Sequence, residues 1–324
     1  MNIAAPQASA SPCPVCRGDA YDKFPDLYDD RYGYPATFTL YTCKTCGHMH
    51  VPTCFAPDDI GRLYTDYYPR GNFDLESFRP EQEKKGLAAW FNGDQSSAFR
   101  RVPRNVRVLD IGCGIGSTLA YHQNRGCEAV GMEADENVQA IARRYGLDIR
   151  KGVFDGTQFD SGYFDYVTLD QVAEHVPDPH ALMEGVARVL KSGGKAIITT
   201  PNPKSIGARV FGRKWLNWHV PFHVQFYTRR SLEIVAKRAG LLVEKSETST
   251  ASEWQFYQWA HVLQFPERGQ RSAFWSPGAV RPKQHKILDK FVHNARRYRV
   301  HRWISRVLDI AGLGDNYVFI LRKR

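Results

Sequence analysis

The stretch Val106-Arg-Val-Leu-Asp-Ile-Gly-Cys-Gly-Ile-Gly116 decides the fold of this 324-residue chain. Its apolar first half is typical of a buried strand, and glycines follow at every second position from Gly112. Leu119 and Ala120 then lie in a predicted helix that ends near Gly126. A strand, a glycine-rich turn and a helix in this order bring the backbone of the turn close to a ligand, as dinucleotide sites also do.

Two details separate this turn from a dinucleotide site. Ser117 stands where the third glycine of that motif would be, and Asp110 lies two residues before Gly112. A carboxylate at this position opposes a pyrophosphate, whereas it suits a ligand that carries ammonium and sulfonium charges. The next strand ends at Glu133, 21 positions after Gly112, where a carboxylate can accept hydrogen bonds from ribose hydroxyls.

Strand and helix patterns alternate through the rest of the central segment. Further strands are predicted to end at residues 153–155 and to span residues 166–169, 195–200 and 241–245. Helices are predicted from Asp135, from the Asp178-Pro179 cap and over residues 228–239. This rhythm predicts an α/β fold with a doubly wound, mainly parallel sheet and a ligand at the carboxyl ends of its strands.

Several motifs carry a resemblance to a known family. VLDIGCGIG (residues 108–116), the strand-end Glu133, the Phe154-Asp155 pair, EHVPDP (residues 174–179) and LKSGG (residues 190–194) follow in order. Together they resemble a class I S-adenosylmethionine-dependent methyltransferase domain over about residues 104–245. The resemblance implies a seven-stranded Rossmann-like sheet whose last strand is antiparallel, and residues 316–321 are expected to form that strand.

The same resemblance implies which residues contact S-adenosylmethionine. Asp110 and the glycines would surround its methionine part, Glu133 its ribose, and Asp155 the adenine amino group, with Phe154 against the ring. The residues implied in the cofactor site are Asp110, Gly112, Cys113, Gly114, Glu133, Ala134, Phe154, Asp155, Asp170 and Gln171.

Two Cys-x-x-Cys pairs near the N-terminus, Cys13 with Cys16 and Cys43 with Cys46, predict a metal site. Four thiolates form a closed tetrahedral site that suits structural zinc and leaves no position open for catalysis. The layout also resembles a methyltransferase subgroup with a four-cysteine module, members of which often methylate sugars in bacterial polysaccharide or natural-product pathways.

Methyl transfer to a hydroxyl needs a group that accepts the proton, and histidine suits that role near neutral pH. Three histidines are expected above the glycine loop: His175, His219 and His223. We predict that His223 is the base, that His175 fixes a loop, and that His219 belongs to an aromatic lid. Ubiquinone-pathway O-methyltransferases place a glutamate metal ligand three residues before their Glu-His-Val-Pro run, whereas this chain has Gln171 there, which speaks against magnesium.

The predicted organisation has six parts. They are a disordered tail (residues 1–12), a small zinc-ribbon module (13–60), a helical connector or lid (61–104), the methyltransferase core (105–250), a helical basic insertion (251–313) and the final strand (314–324). Residues 281–306 hold nine Lys or Arg and one acid, within a net charge of +10. That segment is interpreted as a platform for a phosphate-bearing acceptor such as a nucleotide- or lipid-linked sugar, as a contact with an anionic membrane, or as a solvated helix face.

The sequence therefore predicts a cytoplasmic methyltransferase that O-methylates a sugar or another small molecule with a histidine base. It shows neither an export signal nor an apolar run of the roughly 18 residues that span a membrane. One alternative is an RNA methyltransferase with a zinc module, but residues 169–172 lack the motif for methylation of base amino groups. Another is a non-catalytic zinc-ribbon binding protein, against which the intact glycine loop and Glu133 argue.

Overall fold

The computed structural model describes residues 12–52, 63–68, 78–135, 137–276 and 286–324. The strands in these ranges are β1 Ala20–Tyr28, β2 Thr37–Cys43, β3 Met49–His50, β4 Arg107–Ile111, β5 Glu128–Glu133, β6 Asp148–Lys151, β7 Phe164–Asp170, β8 Leu190–Pro201, β9 Gln225–Phe226, β10 Leu241–Thr248 and β11 Asn316–Lys323. The α-helices are α1 Gly86–Asn92, α2 Ser117–Gln123, α3 Val138–Tyr145, α4 Pro179–Val189, α5 Ile206–Phe211, α6 Arg229–Arg238, α7 Ser252–Leu263, α8 Lys286–Arg297 and α9 Val300–Ile310. Shorter turns lie at Leu63–Tyr67, Asp94–Ser96, Ala98–Arg101, Ala173–His175 and Gly212–Lys214.

A seven-stranded sheet forms the centre of the molecule, with the strand order β10-β11-β8-β7-β4-β5-β6. The pairs from β6 to β8 are parallel, whereas β11 runs antiparallel to both β8 and β10. The predicted fold class is therefore confirmed, including the antiparallel last strand. The chain leaves β4 towards β5 on one side and returns as β7 on the other, so a cleft opens at the carboxyl ends of β4 and β7.

Local signals set most helix boundaries. Asp178 caps α4 by accepting the amides of His180 and Ala181, and Pro179 occupies the first turn, as predicted. Thr228 caps α6 in a reciprocal arrangement with Ser231. Two predicted ends differ from the structure. Helix α3 begins after Asn137 rather than at Asp135, and β6 ends at Lys151, which leaves residues 153–155 in a loop.

Three helices, α7, α8 and α9, lie within the predicted insertion, and the described residues 264–276 between α7 and α8 are not helical. Helices α8 and α9 meet at Arg299, which has a left-handed backbone with φ of 59°. Three of the basic side chains form ion pairs: Arg296 and Arg302 with Glu253, and the buried Arg306 with Asp309 at 2.9 Å. These pairs reduce the positive charge that the segment offers to a partner, and its phosphate, membrane and nucleic-acid interpretations stay predictions. Residues 281–285 lie outside the described ranges.

A second sheet, with the order β1-β2-β3-β9, joins the N-terminal segment to the rest of the chain. Strand β9 comes from residues 225–226, far along the sequence, and pairs antiparallel with β3. Apolar side chains from both parts form one buried cluster, which includes Leu40, Met49, Trp215, Trp218 and Phe226. The predicted domain boundaries stay a prediction, but no break in the core separates the cysteine-bearing segment from residues 215–226. Within the described ranges, no helix has the length and apolar character that crossing a bilayer requires.

Candidate active site

Asp110 lies buried at the end of β4, at the edge of the sheet where the cleft opens. Its two carboxylate oxygens accept hydrogen bonds from the hydroxyls of Thr118, at 2.5 Å, and Thr168, at 2.7 Å. Burial raises the pKa of Asp110 to about 6, against the effect of these hydrogen bonds. Asp110 therefore ties α2 and β7 to the glycine loop, and its direct contact with a cofactor stays a prediction.

The glycine loop is held close to the sheet but leaves space beside Gly114. The amides of Gly112 and Cys113 donate to the carbonyl of Met132 at 2.8 and 3.1 Å, and the Cys113 side chain is buried. A Cβ on Gly112 would lie 2.5 Å from Val172, whereas a Cβ on Gly114 would meet no atom of the described residues within 4 Å. With φ of 53°, Gly114 also has a backbone conformation that favours glycine. The loop thus presents an open cradle that fits a ligand.

Glu133 faces this cradle from the end of β5. One of its oxygens accepts the Gly114 amide and the other the Asp135 amide, both at 3.0 Å. Each carboxylate oxygen has a second lone pair, so both can still accept a ribose hydroxyl. Ala134, the next residue, is exposed. Glu133 and Ala134 therefore fit the role that the sequence predicts for them.

The loop after β6 carries the residues that are predicted to contact adenine. The Phe154 ring is half-buried against the core, where it contacts Phe159 and lies 3.0 Å from the position of a Cβ on Gly185. Its contact with adenine stays a prediction. Val153 is 74% exposed and follows Gly152, whose amide donates to the Glu133 carbonyl. Val153 is thus an exposed apolar side chain close to the end of β6 that the sequence analysis did not single out.

Asp155 lies in the loop after β6, Asp170 ends β7, and Gln171 follows it at the same edge of the sheet. Asp155 is exposed, and hydrogen bonds from Thr157 lower its pKa. Asp170 accepts hydrogen bonds from the Ala98 amide and the Thr199 hydroxyl, and burial raises its pKa. Gln171 is exposed with φ of 57°, a conformation that costs free energy and concentrates at functional sites. We call Asp110–Gly114, Glu133, Val153, Asp155 and Gln171 the cofactor edge.

The three predicted histidines lie together beside this edge. The rings of His175 and His219 lie 4.7 and 4.9 Å from the His223 ring, measured between centroids. Nδ1 of His175 lies 2.9 Å from the Phe222 carbonyl and Nδ1 of His223 lies 2.8 Å from the Asn217 carbonyl. These contacts assign the ring proton to Nδ1, so that Nε2 of both rings carries a lone pair.

Burial keeps all three rings neutral. It lowers the pKa of His175 to about 4, and it holds the pKa values of His219 and His223 well below the ordinary value for histidine. Burial also raises the pKa of Glu174 to about 8, and neither of its oxygens has a hydrogen-bond partner of acceptable geometry among the described residues. The carboxyl group of Glu174 is therefore protonated at neutral pH.

Arg31 reaches the histidines from the turn between β1 and β2, and sequence reasoning missed it. The Asp29 carboxylate folds this turn by accepting the amides of Arg31, Tyr32 and Tyr34 at 2.9, 3.0 and 2.9 Å. The positive charge of Arg31 contributes to the lowered pKa values of the three histidines. We call Arg31, Tyr32, His175, His219 and His223 the acceptor pocket. No motif surrounds Arg31, so the sequence held no signal for it.

Glu174, His175 and His223 also place one potential metal-ligand atom each within 4.8 Å of one another. One feature of the pocket opposes a cation at this point, because Arg31 already supplies a buried positive charge nearby. The argument against magnesium that Gln171 gives stays a prediction.

The side chains of the four N-terminal cysteines lie close together. The Sγ atoms of Cys13 and Cys46 are 3.6 Å apart, those of Cys16 and Cys43 are 3.4 Å apart, and all four lie within 4.8 Å of one another. Tetrahedral zinc with bonds of about 2.3 Å to sulfur needs sulfur atoms about 3.8 Å apart, so the arrangement fits zinc. Of the other cysteines, Cys113 and Cys127 are buried as predicted, and Cys54 lies outside the described residues.

The chain is similar to known methyltransferases. Residues 70–246 match the model of a methyltransferase-domain family. A ubiquinone biosynthesis O-methyltransferase of Aeromonas salmonicida is 30% identical over 150 residues, which cover 42% of this chain and 63% of that protein. A protein of the same name from Xanthomonas oryzae pv. oryzae is 33% identical over 131 residues, which cover 38% of this chain and 55% of that protein.

Thus the chain spans between half and two thirds of the length of these two curated relatives. A solved structure, described as a sarcosine dimethylglycine methyltransferase from Galdieria sulphuraria, superposes with a TM-score of 0.45 at 17% identity. The superposition covers 72% of this chain and 84% of that chain.

Proposed function

The chain belongs to the methyltransferase-domain family, and from that premise we propose that it methylates a hydroxyl group of a small molecule with S-adenosylmethionine as methyl donor. One observation carries the proposal: three buried histidines lie together, and His175 among them lies five residues after the end of β7, on the side of the sheet where Asp110 and Glu133 lie at the ends of β4 and β5. The relatives named as ubiquinone biosynthesis O-methyltransferases support a hydroxyl acceptor.

Bound S-adenosylmethionine supplies an electrophilic methyl group. The Gly114 cradle and the free lone pairs of Glu133 would bind and orient it, and Val153 would cover its adenine. On the acceptor side, His223 holds its Nδ1 proton on the Asn217 carbonyl and keeps Nε2 available to accept the hydroxyl proton. His175 would keep its ring in place through the Phe222 carbonyl, which is a positioning role.

The low pKa of His223 limits the acceptors that this base can serve. A weak base accepts a proton efficiently only from an acidic hydroxyl or where a negative charge lies near, because proton transfer follows the difference in pKa. A phenol or an enol meets that condition better than an ordinary sugar alcohol. We therefore rank phenolic small molecules ahead of the sugars that the layout of the sequence suggests.

We also propose that the four clustered cysteines hold a structural zinc ion, which would supply a rigid cross-link with no open coordination position. The second cysteine pair lies at the end of β2, and the carbonyl of Cys46 accepts a hydrogen bond from Thr228, which caps α6. The ion would therefore fix the N-terminal segment against the chain that follows His223.

Calorimetry with S-adenosylmethionine and its demethylated product, followed by methyl transfer from labelled cofactor to phenols and nucleotide sugars, tests the proposal. We expect wild type to bind both cofactor forms and to label a phenolic acceptor. Glu133→Ala should weaken binding roughly tenfold to a hundredfold, because it removes charged hydrogen-bond acceptors. Glu184→Ala, on the exposed side of α4, is the matched control. Wild type that binds neither form would refute the proposal.

A further inference from the structure

Arg31 is a buried cation that lacks an ion-pair partner among the described residues. The side chain belongs to a residue only 5% exposed, and the ion pairs that the described residues form include none with Arg31. Its Nη2 donates to the Leu216 carbonyl at 2.5 Å, and the guanidinium lies 4.4 Å from the centre of the Trp275 ring. Its Nε has no hydrogen-bond partner among the described residues. A buried charge in this state is costly unless an anion joins it.

Neither neighbouring carboxylate forms an ion pair with Arg31, although Oδ1 of Asp30 is buried and has no hydrogen-bond partner among the described residues. Asp29 accepts three backbone amides of its own turn. Asp30 lies 3.2 Å from Nε2 of His261, and Nδ1 of that ring accepts a hydrogen bond from Trp275 at 3.1 Å. The chain Asp30–His261–Trp275 therefore holds in place the indole that stacks on Arg31. Acidic groups close in sequence support the arrangement of Arg31 without pairing with it.

The residue that follows Arg31 in the chain packs against a histidine of the acceptor pocket. Tyr32, the next residue, lies 5.7 Å from the His219 ring, measured between centroids. His219 is buried with φ of 37°, and its Nε2 has no hydrogen-bond partner among the described residues. Two buried and unpartnered nitrogens, from segments far apart in sequence, thus belong to the same pocket. The strained backbone of His219 agrees with a functional position.

We propose that Arg31, Tyr32 and His219 form an anion subsite that binds a carboxylate or phosphate group of the acceptor. The planar guanidinium offers charged donors in a fork that matches such groups, the Tyr32 hydroxyl is a further donor, and His219 donates when Nε2 carries its proton. The identity of the ligand as the methyl acceptor rests on the proposed function, whereas anion binding itself does not. The acceptor is then an acidic phenol or enol, or a phosphorylated molecule.

Melting temperatures and calorimetry with inorganic phosphate and with acetate, against chloride at matched ionic strength, test the subsite. We expect either anion to raise the melting temperature of wild type, because a ligand that binds the native state stabilises it. Arg31→Gln should weaken anion binding roughly tenfold to a hundredfold. Arg268→Gln, an exposed arginine in the loop after α7, is the matched control and should bind as wild type does. If phosphate binds more tightly than acetate, the acceptor carries a phosphate group; if acetate binds more tightly, it carries a carboxylate.

Nuclear magnetic resonance of the wild-type protein gives a second test, which does not depend on whether a variant folds. Phosphate should shift the imidazole resonances of His175, His219 and His223, while the exposed His293 of α8 should not respond. Arg31→Lys keeps the charge and should retain part of the response. Anions that leave both the melting temperature and these resonances unchanged would overturn the subsite, as would stabilisation by magnesium in place of anions. Loss of cofactor binding defeats the proposed function alone, since phosphate binding is measured without the cofactor.

Discussion

The cofactor edge takes its polar groups from loops that directly follow β4, β5, β6 and β7, whereas the acceptor pocket takes its groups from segments far apart in the chain. Arg31 comes from the turn before β2, His175 from the turn after β7, and His219 and His223 from the segment before β9. Trp275, which stacks on Arg31, comes from the segment after α7. The edge is therefore local to one sheet, and the pocket exists only when three parts of the chain pack together.

This difference indicates which changes each region can tolerate. The edge depends on the parallel pairing of β4 with β5 and β7, which the buried strands maintain. The pocket depends on the sheet β1-β2-β3-β9 and on polar contacts that reach across it. His48, for example, lies 2.7 Å from Gln225, and Gln225 donates to the Pro177 carbonyl at 2.8 Å. Damage to the N-terminal segment should harm the pocket first.

The largest expected effect comes from the cysteine cluster. Cys43→Ser, or removal of zinc with a chelator, should abolish methyl transfer, because β2, β3 and β9 lose their cross-linked support. Cofactor affinity should stay within about twofold of wild type, since the edge has separate contacts. Metal analysis, calorimetry and a transfer assay on the acceptor found in the panel measure these quantities.

Cys127→Ser is the control for this experiment, because Cys127 is also buried but lies outside the cluster. It should keep one zinc per chain and normal turnover. If the protein still methylates its acceptor at the wild-type rate after a chelator has removed the zinc, the acceptor pocket does not depend on the N-terminal segment. That result would contradict the difference between the pocket and the cofactor edge. An equal loss of cofactor binding and of turnover would also contradict it, because the cofactor edge would then depend on the N-terminal segment as well.

The next effect concerns the base. His223→Gln should lower turnover by roughly 10²–10⁴, because glutamine cannot accept the hydroxyl proton, while cofactor affinity stays unchanged. His293→Gln, on the exposed face of α8, should have normal turnover. Single-turnover measurements over a range of pH separate the chemical step from binding. Near-normal turnover of His223→Gln would exclude His223 as the base and make His219 the next residue to test.

A smaller effect is a pH-dependent gain of stability in Glu174→Gln. The pKa of Glu174 in the folded protein, about 8, lies above the ordinary glutamate value of 4.5, so the native state prefers the protonated form. That contribution is fully present below pH 4.5 and is lost as the pH rises through 8. Glutamine imitates the neutral acid, so the variant should match wild type near pH 4.5 and exceed its unfolding free energy by roughly 2–5 kcal/mol near pH 9.

Denaturant titrations of both proteins at the two pH values measure this difference, with Glu184→Gln as the exposed control. The other buried acids titrate alike in both proteins and cancel. A gain of the same size at both pH values would mean that Glu174 is not ionised at high pH. A loss of stability at pH 9 would mean that its charge has a partner, such as a metal ion shared with His175 and His223.

The sequence predicted most of the strand ends that form the cofactor edge, and the reason is geometrical. In a parallel sheet, the residue that ends a strand also lies at the ligand edge, so Asp110, Glu133 and Gln171 can be read from strand patterns alone. One strand end differs from its prediction, because β6 ends at Lys151 rather than within residues 153–155.

By itself, the sequence determined the fold class and the cysteine cluster, because both depend on local pattern or short spacing, while the resemblance implied the antiparallel last strand and the expected fold placed the three histidines above the glycine loop. Only the tertiary structure decided that Arg31 joins those histidines and that Trp275 lies against it. It also decided that burial removes the charge from the histidines and holds a proton on Glu174. Contacts between distant segments, and the pKa values that burial sets, depend on how the chain packs in space, and no local pattern encodes them.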